Sequence, residues 1–349
     1  MTTTDLAAVV LWIGVTTYAI FGGADFGAGF WDAVAGRGID GPRARELISA
    51  AIGPVWEANH TWLIFDLVIL WTAFPAAFAA VMSTLFIPFS LAAVGIVLRG
   101  ATFAFRPVVS GARGRRTTSA IFAASSVVTP FFLGAAAGGI AGGRVAPDPG
   151  RVDLIGSWLN PTSLLVGVMA VAVCAYVAAV FLVADARRLG MDDLASAFLR
   201  RATAVAIVLG ALSVIGIGVL AIDAPELARE LTTRGWPLIV AGGALGVGAL
   251  VALRMRAPRG TRPLAVGAVV AVLWGWGVAQ YPDILPGTLT LAAAAAPAGS
   301  VGSLLIVFVI AAVLIAPSLG LLFWLTQQGR LQGHDSARDG GATTHGGRE

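Results

Sequence analysis

Five ionisable side chains fall inside apolar stretches of this 349-residue sequence: Asp25, Glu57, His60, Asp66 and Arg99. Charges held in hydrocarbon face a protein interior or a wet cavity, pair with one another, and mark ion or proton paths. Three of the five share one segment, GPVWEANHTWLIFD (residues 53–66). On a helix, Glu57 and His60 are three apart and Glu57 and Thr61 four apart, so they share a face. Asn59, Trp62 and Asp66 follow the neighbouring stripe at spacings of three and four. With Pro54 as a favourable first-turn residue, Glu57 is expected at a helix N-terminus, which favours a carboxylate. Asp66 then lies roughly 13 Å deeper. A carboxylate, an imidazole that changes charge near neutral pH and a second carboxylate descending one helix have the composition of a proton relay. The plainer alternative is that these groups only hydrogen-bond neighbouring helices. Imidazole is also a common heme ligand, but His60 is the one histidine in an apolar stretch, so bis-histidine ligation within the chain is ruled out.

The elements that must position these groups are membrane spans. The chain is 57% hydrophobic and 12% charged, with mean hydropathy +0.85, far from the quarter charged of a soluble domain. Apolar runs of about 20 residues, enough to cross the hydrocarbon core, recur throughout. Nothing alternates as a transmembrane β-barrel would. The expected class is an all-α integral membrane protein of about nine transmembrane helices, roughly 6–31, 52–74, 77–98, 119–141, 162–184, 202–221, 237–253, 263–280 and 300–326. These form one polytopic domain over 1–326, followed by a polar, glycine-rich tail at 327–349 expected to be disordered. The first segment lacks the basic flank of a cleaved signal and is taken as a retained span. A lone cysteine, Cys174, rules out a disulfide or cysteine-based metal site within the chain and is expected to be a small core or lipid-facing residue. The stretches 142–161 and 279–300 are expected to pack over the outer face, the second as an irregular or re-entrant segment.

All 23 basic residues are arginine. Eighteen fall in the loops after the first, third, fifth and seventh spans and in the tail, four in the opposite loops, and Arg99 inside a span. By the positive-inside rule the N-terminus faces outward and the C-terminus the cytoplasm. The same placement argues against nucleic-acid binding despite a basic pI. Asp25 and Arg99 both lie near the cytoplasmic ends of spans that run in the same direction. They are expected to pair, with each other or with a cofactor carboxylate, unless they are an interfacial pair with a snorkelling arginine.

Four motifs resemble one family. GGADFGAG (residues 22–29), AIGPVWEANHTWLI (residues 51–64), GIVLRGATFAFR (residues 95–106) and LNPTSLLVGV (residues 159–168) are similar, in order and in register, to subunit II of cytochrome bd-type quinol oxidases. The resemblance implies two four-helix bundles plus a peripheral helix, and a heterodimer with a similar-sized subunit I in the bacterial cytoplasmic membrane. It further implies that subunit I holds the quinol site, two hemes b and one heme d, while this subunit is heme-free. Small accessory subunits, membrane lipid and a structural quinone are further partners it suggests. Carried over by residue, Glu57 matches an acidic position (aspartate in the best-known members) on a cytoplasmic proton path. Trp62 matches a tryptophan near the oxygen route, and Asp25 and Arg99 match charged positions near the subunit interface. His60 stands where glutamine is common, which places the sequence nearer the cyanide-insensitive branch. Asp66 matches no family position.

Two other readings compete. A proton-coupled secondary transporter would use Glu57, His60, Asp66 and Arg99 as its site, but transporters tend to repeat such features in paired halves, and these charges crowd into the first three spans. A membrane scaffold without chemistry fits the composition and leaves the charges of the second span unexplained.

Overall fold

The computed structural model describes residues 2–35, 40–105, 108–148, 150, 152–255 and 260–327, with backbone alone at 40, 50–58, 316, 319 and 322–327. The tail expected to be disordered, from 328 onward, lies outside the described residues. In chain order the elements are α1 (Thr3–Val34), α2 (Asp40–Ala73), α3 (Pro75–Thr84), α4 (Phe86–Phe105), α5 (Ala112–Ala141), α6 (Pro161–Arg188), α7 (Asp192–Asp223) and α8 (Pro225–Glu230). A π-helical turn (Leu231–Gly235) joins α8 to α9 (Trp236–Arg254). Then come α10 (Thr261–Gln280), strands β1 (Asp283–Leu285) and β2 (Leu289–Thr290), α11 (Leu291–Ala294) and α12 (Ala298–Gln327). Packing separates Met1–Val301 from Gly302–Glu349, and every candidate residue named above belongs to the first unit. Among the described residues eight helical segments are long and apolar enough to cross a bilayer, and a bent pair, Asn59–Ala73 with Pro75–Thr84, supplies a ninth candidate. The protein is an all-α, multi-span membrane protein.

Three boundaries differ from the sequence expectation. First, α2 begins at Asp40, so Pro54 lies within the helix and Glu57 is not in its first turn. Asp40, Arg43, Arg45 and Glu46 charge this lead-in, which hid it from a reading based on apolar length. Second, the span expected at 77–98 is two helices. Ahead of it, at the boundary the sequence already marked, Phe74 at φ −133° and ψ 59° leaves the helical region, as a residue before proline tends to, and the chain turns by 120° between α2 and α3. Pro88 has no N–H for the Thr84 carbonyl, which accepts instead from Ser157 Oγ at 3.3 Å, and α4 restarts at Phe86 and runs on to Phe105. Third, the irregular segment after α10 contains a short antiparallel strand pair, Asp283 opposite Thr290. It meets the 142–161 loop where Thr288 Oγ1 donates to the Val145 carbonyl at 3.2 Å.

The main buried cluster joins α1, α6 and α7, with Ala44, Leu47 and Ile48 of α2 and the facing ends of α9 and α10. Cys174 is buried there. With no hydrophobic drive between helices in lipid, small residues set how closely backbones approach. Gly27 shows the limit: a Cβ there would collide with the backbone carbonyl of Cys174, so α1 and α6 touch main chain to main chain. Two residues on, a Cβ at Gly29 would strike Ser126 and Arg99, opening the space into which α4 and α5 deliver their polar groups.

Candidate functional site

Asp25 and Arg99 form a fully buried ion pair, 0% and 1% exposed. Arg99 Nη2 donates to Asp25 Oδ1 at 2.6 Å and to the Asp25 carbonyl at 2.7 Å, and Nε donates to Oδ2 at 3.3 Å. Nη1 donates to Ser126 Oγ, whose own hydroxyl donates to the Phe122 carbonyl at 2.5 Å. The guanidinium carbon lies 4.3 Å from the Phe122 ring centre and 5.2 Å from that of Phe26. Asn59 Nδ2 completes the group, donating to Asp25 Oδ2 at 3.4 Å. A buried charge is tolerable when paired and hydrogen-bonded on its remaining atoms, and each of these contacts meets that need. The glycine stripe of α1 makes it possible, because Gly22 faces Asn59 and Gly29 faces Ser126 and Arg99.

Asn59, Ser126 and Phe122 were not among the residues singled out by charge. Spacing alone sets Asn59 on one stripe of α2 with Trp62 and Asp66, though without a partner or a role. Ser126 carries a weaker signal, the adjacent Ser125–Ser126 pair within an apolar span.

The other candidates distribute along α2. The side chain of Glu57 lies outside the described residues. His60 is half-buried and, as the next residue after Asn59, points about 100° around the helix from it. Trp62 packs edge-on against Phe65 at 5.6 Å, and its indole Nε1 is buried without a hydrogen-bond partner. Asp66 is two turns beyond Asn59, roughly 10 Å along the axis, and does not join the Asp25–Arg99 group. It faces Gly14 of α1, where a Cβ would occupy the position of its Oδ1, and that oxygen has no hydrogen-bond partner.

Asp66 lines a cavity of about 510 Å³ whose walls are otherwise almost entirely apolar. Tyr18 and Trp12 of α1, Leu70 of α2, and Trp276 and Gln280 of α10 contribute to it. Besides Asp66 Oδ1, two polar atoms of its lining residues are buried and unpartnered, Trp276 Nε1 as a donor and Gln280 Oε1 as an acceptor. Toward the N-terminal end of α1, Tyr281 Oη donates to Asp5 Oδ1 at 3.5 Å. Thus α1 and α2 enclose two polar places: a filled knot around Asp25 and a hollow beside Asp66. Among the described residues there is no group of three His, Cys, Asp or Glu side chains able to hold a metal ion.

Comparison with known proteins matches this chain to one family. The family model for cytochrome bd terminal oxidase subunit II covers residues 3–326. The cytochrome bd ubiquinol oxidase subunit 2 of Bacillus subtilis (strain 168) is 26% identical over 170 residues, 48% of this chain and 48% of that protein. The cytochrome bd-I ubiquinol oxidase subunit 2 of Escherichia coli (strain K12) is 29% identical over 167 residues, 46% of this chain and 42% of that one. The aligned stretches thus span about half the length of these curated relatives, or less. A chain in the structure of bd oxidase from Geobacillus thermodenitrificans superposes with a TM-score of 0.74 over 93% of this chain and 98% of that chain, at 24% identity, a likeness of fold.

Proposed function

Since the chain belongs to the cytochrome bd terminal oxidase subunit II family, we propose that it is the non-heme-bearing partner in a membrane complex that oxidises quinol and reduces dioxygen to water. The match over residues 3–326 carries this reading. Subunit I would hold two hemes b and one heme d, which carry electrons from quinol to dioxygen. The complex would sit in a bacterial cytoplasmic membrane, N-terminus outward. Here α1, α2, α4 and α5 would form one four-helix bundle and α6, α7, α9 and α10 a second, with residues 327–349 a cytoplasmic tail.

In that setting the residues take distinct tasks. Glu57 and His60 would receive cytoplasmic protons, since water formation consumes protons and a low-dielectric interior requires titratable groups and waters to pass them. Asp66 would extend that path within the membrane, and Trp62 would flank the route by which dioxygen leaves the bilayer. The Asp25–Arg99 pair would hold α1 and α4 in register at the subunit interface. The cavity beside Asp66 suits a structural quinone or lipid: its apolar wall takes a hydrocarbon chain, and Trp276 Nε1 and Gln280 Oε1 offer a ring-borne carbonyl or hydroxyl a donor and an acceptor. Small accessory subunits would complete the complex.

Co-purification of the chain with its membrane partner, followed by a reduced-minus-oxidised spectrum, tests the reading. A heme d band in the red is expected, and its absence would return the chain to the alternative of a proton-coupled transporter. Glu57→Gln should slow quinol oxidase turnover at unchanged heme content, whereas loss of heme would give Glu57 a structural task instead.

A further inference from the structure

Three arginines are stacked on aromatic rings in the same way but finished differently. Arg99 lies over Phe26 and Phe122 and is neutralised by Asp25. Arg262 lies 4.9 Å from the Phe181 ring centre and is neutralised by Asp185 at 2.9 Å. Arg201 lies 5.0 Å from the ring centre of Phe198 and 5.5 Å from that of Trp31, yet has no ion pair or hydrogen bond with any described residue. Its platform is rigid. Phe198 is fully buried, and the Trp31 ring is pinned by Nε1 donating to the Ala175 carbonyl at 2.8 Å. Three carboxylates of α1, α6 and α7 are engaged by other arginines: Asp193 with Arg43, Asp32 with Arg45, and Asp185 with Arg262 and Arg188. Arg200, adjacent and exposed, adds a second cation without a partner among the described residues.

We propose that Arg200 and Arg201, on the Trp31–Phe198 platform, bind the phosphate headgroup of one anionic phospholipid whose acyl chains lie along α7. A guanidinium held beside aromatic rings still has N–H donors to present, and its fork matches phosphate oxygens two at a time. Basic groups at the ends of membrane helices recruit anionic headgroups in this way. The tail surface follows from helical spacing. From Arg200 and Arg201 the exposed residues Ala204, Ile207, Val208, Ala211, Val214 and Ile215 continue one stripe at steps of three and four. A soluble anion would use the arginines alone, whereas a lipid would also use the exposed apolar residues that run on from them. The stripe favours a lipid. The site requires only that α7 spans the membrane, so it stands apart from the oxidase reading.

The test uses the complex as purified, titrated with phosphatidylglycerol or phosphatidylcholine and followed by native mass spectrometry. Wild type should retain one phosphatidylglycerol in preference to phosphatidylcholine. Arg201→Gln and Arg200→Gln should each weaken that retention about fivefold or more, on the scale of one basic residue near a charged membrane. Arg201→Lys should recover part of the loss. Arg200→Gln alters an exposed side chain and keeps the test valid if Arg201→Gln fails to assemble. Equal retention of both lipids, or unchanged retention in Arg200→Gln, would overturn the proposal. Displacement of the lipid by millimolar inorganic phosphate would do the same, by making the site one for a soluble anion.

Discussion

The knot at Asp25 and the hollow at Asp66 lie on the same pair of helices and treat a buried carboxylate in opposite ways. At the knot, α4 and α5 bring Arg99 and Ser126 against α1, and the carboxylate is paired and hydrogen-bonded on both oxygens. At the hollow, α10 comes close enough to enclose space without filling it, and Asp66 Oδ1 faces α1 with no partner. The difference teaches that an acid in a span is not one kind of feature. A compensated acid fixes where helices sit, whereas an uncompensated one beside a cavity is free to exchange a proton or accept a ligand's hydrogen bond.

The largest effect that would break this contrast is at the knot. Arg99→Leu strands the Asp25 carboxylate in a dry interior and should cost about 3–5 kcal/mol, read as lost assembled complex and a lower Tm. The double variant Asp25→Leu/Arg99→Leu should recover much of that loss, because replacing both charges with apolar groups is far less damaging than orphaning one. A double variant no better than Arg99→Leu would show that the knot is held by shape rather than charge.

Glycine substitutions sharpen the comparison at the next level. Gly27→Ala sets a methyl against backbone of α6, which cannot rotate away, and should cost about 1–3 kcal/mol. Gly14→Ala meets only side chains of α2, chiefly Asp66, which has a cavity beside it to turn into, and should cost about 1 kcal/mol or less. Thermal unfolding of the two variants in one detergent would decide, and equal losses would mean the hollow is as tightly built as the knot.

Asp66→Asn should leave stability within about 0.5 kcal/mol, because no partner is removed, while lowering proton-coupled turnover if Asp66 carries protons. Unchanged turnover at all pH values would remove Asp66 from the proton path and leave it to the ligand. The smallest effect expected lies outside the membrane. Asp153 accepts from the Gly156 and Ile155 amides at 2.8 and 3.0 Å, and these bonds hold its carboxyl below the usual carboxylate range. Because the folded form holds its proton less tightly than the unfolded form, this support is present above the ordinary carboxylate pKa. It fades as pH falls through the lower folded value. The Tm gap between wild type and Asp153→Asn should therefore close on acidification, and a gap that widens would contradict the assignment.

By itself the sequence determined the membrane class, the approximate number of spans, the family through its four motifs, and the shared depth of Asp25 and Arg99, because apolar length and charge placement are written locally. Proline punctuation was equally local, and the break ahead of Pro75 falls at the gap between the spans expected at 52–74 and 77–98. What only the tertiary structure decided is direction around each helix. In lipid a helix is apolar on every side, so the amphipathic stripe that points a soluble helix toward its core is faint. Spacing could say that Asn59, Trp62 and Asp66 share a stripe. It could not say that α4 and α5 reach one end of that stripe while α10 leaves a hollow at the other, or that Arg201 would find aromatic rings and no carboxylate. Those outcomes depend on where glycines let backbones meet and on which neighbours arrive, and packing across distant segments settles both.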